Sequence, residues 1–289
     1  MQVRRMMRWF GCVAGAAIVV VGAAGFVQTP PHPTSAAGIR ASPEPHTSPR
    51  HPPIADRGVP GPWTVVGLGD SVVSGAHCDC APFISRYRSL VASATHRETT
   101  ARNLGADGST SDDLVQALQP GGDAARQLRG ADIVAVTIGA NDMARARSEW
   151  EQDGCVYCFD KVAATIKANV VKIVRLARAD AGRDPVEVLV TTYWNVFEEA
   201  AAQGPQRTAY TAMAELATSR ANVAICAAAE QHDAACVDLY RPFKGDGSDD
   251  ALPLLADDRD HPNAAGHQLI AWRLAAYGWR ELGVPLASG

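Results

Sequence analysis

Past residue 62 the chain has no surplus of positive charge. Its 289 residues carry 27 Lys+Arg against 31 Asp+Glu, a net charge of −4. Residues 1–62 hold six basic and two acidic side chains, so the remaining 227 residues hold 21 against 29, a net charge of −8. A body of that sign offers no basic footprint to a phosphate backbone, which excludes nucleic acid as its partner. Proline is scarce there too, because ten of the 18 prolines fall between Pro30 and Pro62. No internal repeat is visible, which excludes a solenoid or propeller. A 47% hydrophobic fraction with 20% charged residues excludes wholesale disorder.

Only one long apolar run is present. It extends uncharged from Trp9 to Val27 and follows Arg4, Arg5 and Arg8. Positive charge ahead of an apolar stretch is how a secretory signal begins, and it also orients an anchor with its N-terminus inside. The run is long for a signal core and short for a spanning helix. Residues 1–28 are therefore expected to be a signal peptide or an N-terminal membrane anchor. Residues 29–62, rich in Pro, Ser, Thr and His, cannot bury enough surface to offset their ordering entropy and read as a disordered linker. That leaves 63–289 as one domain on a stalk, secreted or held at the cell envelope through its N-terminus, and expected to be a monomer. Six cysteines remain once Cys12 is set aside: Cys78, Cys80, Cys155, Cys158, Cys226 and Cys236. In an exported chain an even count favours disulfides. Cys226 and Cys236 flank a short helix-to-strand connection and form one expected pair. The CxC and CxxC pairs could close locally or across two loops that follow strands, and four such thiols, with His77, could alternatively hold zinc.

Along the body, strands alternate with helices. Trp63–Leu68, Thr99–Leu104, Ala131–Ile138, Val186–Tyr193 and Ala235–Leu239 read as strands. Helices are expected over Phe83–Thr95, Thr110–Leu118, Lys161–Ala181, Gln206–Glu230 and Asn263–Leu282, the last capped by Asn263. The segments around Cys78–Phe83, Ala144–Asp160 and Trp194–Gly204 read as loops. Alternation of this kind means a parallel sheet covered on both faces, with reactive groups gathered at the carboxyl ends of the strands.

Four motifs sit at such positions. Gly67-Leu68-Gly69-Asp70-Ser71 follows the first strand. Asn103–Thr110 (NLGADGST) follows the second. Gly139-Ala140-Asn141-Asp142 follows the third. Asp258-Arg259-Asp260-His261-Pro262-Asn263 precedes the last helix. Together they supply a nucleophile, a base, an orienting acid and oxyanion donors, the parts of an acyl-transfer site. A lone Gly-Asp-Ser is ordinary turn chemistry; all four motifs in this order are not.

Over roughly residues 63–282 the chain resembles the SGNH hydrolases, also called GDSL esterases/lipases. Its blocks match GDS at Ser71, N-x-x-x-x-G-x-T at Gly108, GxND at Asn141 and DxxHPN at Asp258 and His261. The resemblance implies a flavodoxin-like three-layer α/β/α sandwich with about five parallel strands. It also implies a carboxylic ester hydrolase that needs no cofactor and no metal. The CxC and CxxC pairs are similar to those of exported actinobacterial members. Ser71 is the expected nucleophile, His261 its base and Asp258 the residue that orients the imidazole. The backbone N–H groups of Ser71 and Gly108 and the Asn141 amide are the expected oxyanion donors. Asp70 and Asp142 read as structural, His267 as partly buried and structural, and His77 as a surface residue. Trp194 and Phe197, after the fourth strand, are expected either to line an acyl or leaving-group pocket or to plug the sheet edge against a helix. Lipid esters and acetylated carbohydrates both suit such a site. An acyltransferase using the same residues, or a non-catalytic envelope-binding module, are the alternatives.

Overall fold

The computed structural model describes residues 61–198, 205–279 and 282. The expected leader, and the linker as far as residue 60, lie outside the described residues. Among the described residues no helix is long and apolar enough to cross a membrane.

Five strands form one sheet: β1 (Trp63–Gly69), β2 (Thr99–Gly105), β3 (Ile133–Thr137), β4 (Glu187–Thr191) and β5 (Ala235–Val237). All pairings are parallel, in the order β2-β1-β3-β4-β5. That is the order of the doubly wound flavodoxin-like sandwich, and it reverses direction between β1 and β3. β1, β3 and β4 are buried along their whole length, as strands covered on both faces must be. β2 lies at an edge, and its more polar sequence TTARNLG leaves it half exposed.

The helices are α1 (Ser71–Ser74), α2 (Phe83–Thr95), α3 (Ser111–Ala117), α4 (Asp123–Leu128), α5 (Ala140–Asp153), α6 (Tyr157–Ala181), α7 (Pro205–Glu230), α8 (Tyr240–Lys244) and α9 (Ala264–Tyr277); a 3₁₀ turn spans Leu252–Leu254. Helices α2 and α9 pack together, whereas α3, α4, α5 and α7 all pack on α6, giving the two helical layers of the sandwich. The inward stripe of α6 is Ile166, Val170, Ile173, Val174 and Ala177, all fully buried, at the spacing its sequence predicts. Thr110 caps α3 with Asp113 in a reciprocal capping box, and the Asn263 side chain caps α9 by accepting from Ala265 and Gly266 N–H.

One expected loop is helical. Residues 144–160 are not a loop: α5 continues to Asp153, and α6 begins at Tyr157 rather than Lys161. Helix α5 buries only Met143 and Ala146 and is laced on its outer face by Arg145–Glu149 (3.1 Å) and Arg147–Glu151 (2.8 Å) pairs. Such a helix carries almost no apolar period to read.

Cys78 pairs with Cys80, Cys155 with Cys158, and Cys226 on α7 with Cys236 on β5. Each of the first two pairs closes on itself, so no four-thiol zinc set exists. The Cys155–Cys158 pair sits at the α5–α6 junction, not after a strand.

Candidate active site

The site lies at the carboxyl edge of the sheet, where the strand order reverses. β1 ends at Gly69, whose φ of +144° and whose position 1.9 Å (for a built Cβ) from the Thr137 carbonyl oxygen admit only glycine. The Asp70 N–H then donates to that carbonyl (3.1 Å), and the Asp70 carboxylate accepts from the Val72 N–H (3.0 Å), starting α1. Ser71 is thereby the first residue of a helix, with its side chain at the sheet edge.

The other motifs reach the same place from their own strands. After β2, Gly108 occupies the left-handed region (φ +73°) with open space where a Cβ would stand. After β3, Gly139 turns the chain into α5, and Asn141 donates from Nδ2 to the Ser109 carbonyl (2.9 Å), tying the third motif to the second. Asp142 accepts from the Ser111 N–H (2.8 Å) and hydroxyl (2.5 Å), a purely structural use. Before α9, Asp258 Oδ1 accepts from the N–H groups of Asp260 and His261 (both 3.1 Å), which folds the turn around the carboxylate.

The result is a row of hydrogen bonds. Asp258 Oδ2 lies 2.7 Å from His261 Nδ1, and His261 Nε2 lies 2.7 Å from Ser71 Oγ. A cavity of about 220 Å³ opens in front of the row, lined among others by Ser71, Gly108, Asn141, Tyr193, Asp260 and His261. This volume falls below the roughly 300–1,000 Å³ of pockets that enclose drug-sized ligands.

The electrostatics follow burial. Asp70, fully buried, has its carboxyl pushed up to about 7 by desolvation, against the opposing hydrogen bonds from the Tyr193 hydroxyl and the Val72 N–H. Desolvation likewise raises Asp142 and Asp260. Burial also acts to raise Asp258, but its bonds from Asp260 N–H and His261 outweigh it and hold the carboxyl below the usual range, so it stays charged beside the imidazole.

Trp194 forms part of the cavity wall yet is 1% exposed, stacked on Phe243 with centroids 4.3 Å apart. Phe197 does not line this cavity; it is buried beneath the Arg147 guanidinium, 5.3 Å from the ring centre. His267 is fully buried rather than partly so. Sequence reasoning gave no role at this site to Tyr193, to Asp260 or to His77, whose ring stacks on His261. The position of His77, six residues past Ser71, is the only signal that could have drawn attention to it.

The model of the GDSL-like Lipase/Acylhydrolase family matches residues 68–269, which contain the Gly69-Asp70-Ser71 block and the other three motifs. Among solved structures, the lipase Lip_vut3 from a goat rumen metagenome superposes with a TM-score of 0.65 at 20% identity, covering 76% of this chain and 99% of that one. Axe2, an acetyl-xylooligosaccharide esterase from Geobacillus stearothermophilus, superposes with a TM-score of 0.52 at 20% identity, covering 78% and 97%. Axe2 has also been solved as catalytic mutants of a serine, an aspartate and a histidine. At these identities the likeness speaks for the fold. No curated protein sequence matches the chain.

Proposed function

From its membership of the GDSL-like lipase/acylhydrolase family, which makes the chain a carboxylic ester hydrolase, we propose that it cleaves its substrate through an acyl-enzyme on Ser71. The observation that carries this reading is the row Asp258–His261–Ser71, with both contacts at 2.7 Å. A serine hydroxyl is a poor nucleophile at neutral pH. His261 Nε2 takes its proton as Oγ attacks the ester carbonyl, and Asp258 stabilises the imidazolium that forms. His261 then returns the proton to the leaving alkoxide, which departs as the alcohol. Water repeats the sequence on the acyl-enzyme and releases the acid.

The negative oxygen of each tetrahedral intermediate is held by the Ser71 and Gly108 N–H groups and the Asn141 amide. Ser71 begins α1, so its N–H has no partner within the helix. Asn141 has two amide hydrogens, and the Ser109 carbonyl uses one. Substrate esters are those of lipids or of acetylated carbohydrates; the small, partly polar cavity supports a short acyl group over a long one. Secretion or retention at the cell envelope is supported by the basic-then-apolar leader and by the three disulfides.

The test is an acyl-chain-length series of p-nitrophenyl esters with Ser71→Ala as control. Turnover should be highest on the shortest chains and should fall to background in the variant. Full activity in Ser71→Ala, or no turnover on any chain, would sink the proposal.

A further inference from the structure

His77 belongs to none of the four motifs. It sits on the turn after α1, in the left-handed region (φ +59°), with 59% of its side chain exposed. Yet its ring lies nearly flat on that of His261, with centroids 4.7 Å apart and planes 21° from parallel. Its Nδ1 is 3.3 Å from Asp258 Oδ2, the same oxygen that His261 Nδ1 meets at 2.7 Å. One carboxylate oxygen thus faces two imidazoles. The other ionisable groups around His77 are Asp260 from the turn before α9, Asp107 across the cavity and Asp79 in its own loop.

An exposed side chain in an unusual backbone conformation needs something to hold it. Here the Cys78–Cys80 disulfide closes immediately after it. Both sulfurs lie within 4.8 Å of a ring nitrogen of the buried His267 on α9. A few residues on, the Phe83 N–H donates to His267 Nδ1 (3.3 Å) and Arg86 donates to Gln268 Oε1 (2.9 Å). The loop that carries His77 is therefore clamped to α9, the helix that starts three residues after His261, directly after its cap Asn263.

We infer that His77 is a positioning residue for the hydrolytic reaction: held by the disulfide-closed loop, its ring covers one face of His261 and shares Asp258 with it. This inference rests on the reading of Ser71, His261 and Asp258 given above. The stack restrains His261 from swinging out of line with Ser71 Oγ. The contact of His77 Nδ1 with Asp258 Oδ2 also fixes the carboxylate that holds His261.

The experiment is steady-state hydrolysis of a short p-nitrophenyl ester from about pH 5 to 9, using the full chain. Wild type is compared with His77→Asn, Cys78→Ser/Cys80→Ser and Ser71→Ala, with thermal melts to verify folding. Asparagine accepts the left-handed backbone while removing the ring. His77→Asn should lower kcat about fivefold with KM changed by less than about twofold. The double serine variant should do the same in both respects, and wild-type kinetics in it would refute the tether. A His77→Asn profile that superimposes on wild type, or a rise in KM in place of the fall in kcat, overturns the inference. Activity in Ser71→Ala would instead overturn the reading of the site itself.

Discussion

Asn141 holds two loops together and still keeps an amide hydrogen free for the cavity. Its Nδ2 reaches the Ser109 carbonyl beside Gly108, so the third and second motifs are joined by the same group that lines the cavity. Asn141→Ala removes the donor without setting a carboxylate against the Ser109 carbonyl oxygen. It should lower kcat by about 10²–10³ with little change in KM, the loss typical for one oxyanion donor. A loss below about tenfold would remove Asn141 from that role. At this scale the sequence was informative where chemistry repeats a pattern and silent where burial is non-local. Ser71, Gly108, Asn141, Asp258 and His261 lie in motifs whose spacing can be read directly. Tyr193 lies 123 residues from Asp70, which receives its hydroxyl, and His77 lies 184 residues from the ring it covers. No local pattern encodes either contact.

Two glycines frame the catalytic turns for different reasons, and substitution separates them. A Cβ on Gly69 would stand 1.9 Å from the Thr137 carbonyl oxygen at φ +144°, so β1 and β3 could no longer hold their register at the point where α1 begins. Gly69→Ala should cost about 3 kcal/mol or more and abolish activity with it. Around Gly108 a Cβ meets nothing within 4 Å, and only φ +73° resists it. Gly108→Ala should cost about 1–2 kcal/mol, the strain of a left-handed L-residue. Urea midpoints of the two variants give the comparison, and equal losses would refute it. The strands were legible for a related reason. Buried parallel strands such as IVAVT must be continuously apolar, so their sequence announces them. Helix α5 hid because its outer face carries Arg–Glu pairs and its packing on α6 and α7 buries only Met143 and Ala146. The Cys155–Cys158 loop was consequently misplaced as following a strand.

Two buried groups give the whole molecule opposite responses to acid. Asp70 has a folded value of about 7 against an ordinary 3.8, so between these the folded state holds a proton that the unfolded state lacks. Acidification from about 7 to 4 therefore stabilises the fold through Asp70. His267 behaves in reverse. Burial, with Arg86 nearby, lowers it from 6.5 to about 4, so across that window the unfolded state takes up a proton that the folded state refuses. Acidification from 6.5 to 4 destabilises the fold through His267. At about 1.4 kcal/mol per pH unit the two contributions are each about 3–4 kcal/mol, and over most of the window they cancel. Wild-type stability should accordingly stay nearly flat from about pH 6.5 to 4.5 as far as these two groups set it. Asp70→Asn keeps the oxygen that accepts from Val72 but cannot titrate; in this variant the urea midpoint should fall as the pH drops. His267→Asn keeps an acceptor for the Phe83 N–H, and there the midpoint should rise over the same range. Below that range Asp258, held low by its hydrogen bonds, adds a loss of stability as it protonates in both variants. Midpoints measured at half-unit steps decide the matter: parallel curves for the two variants would mean that neither buried group carries the linkage assigned to it.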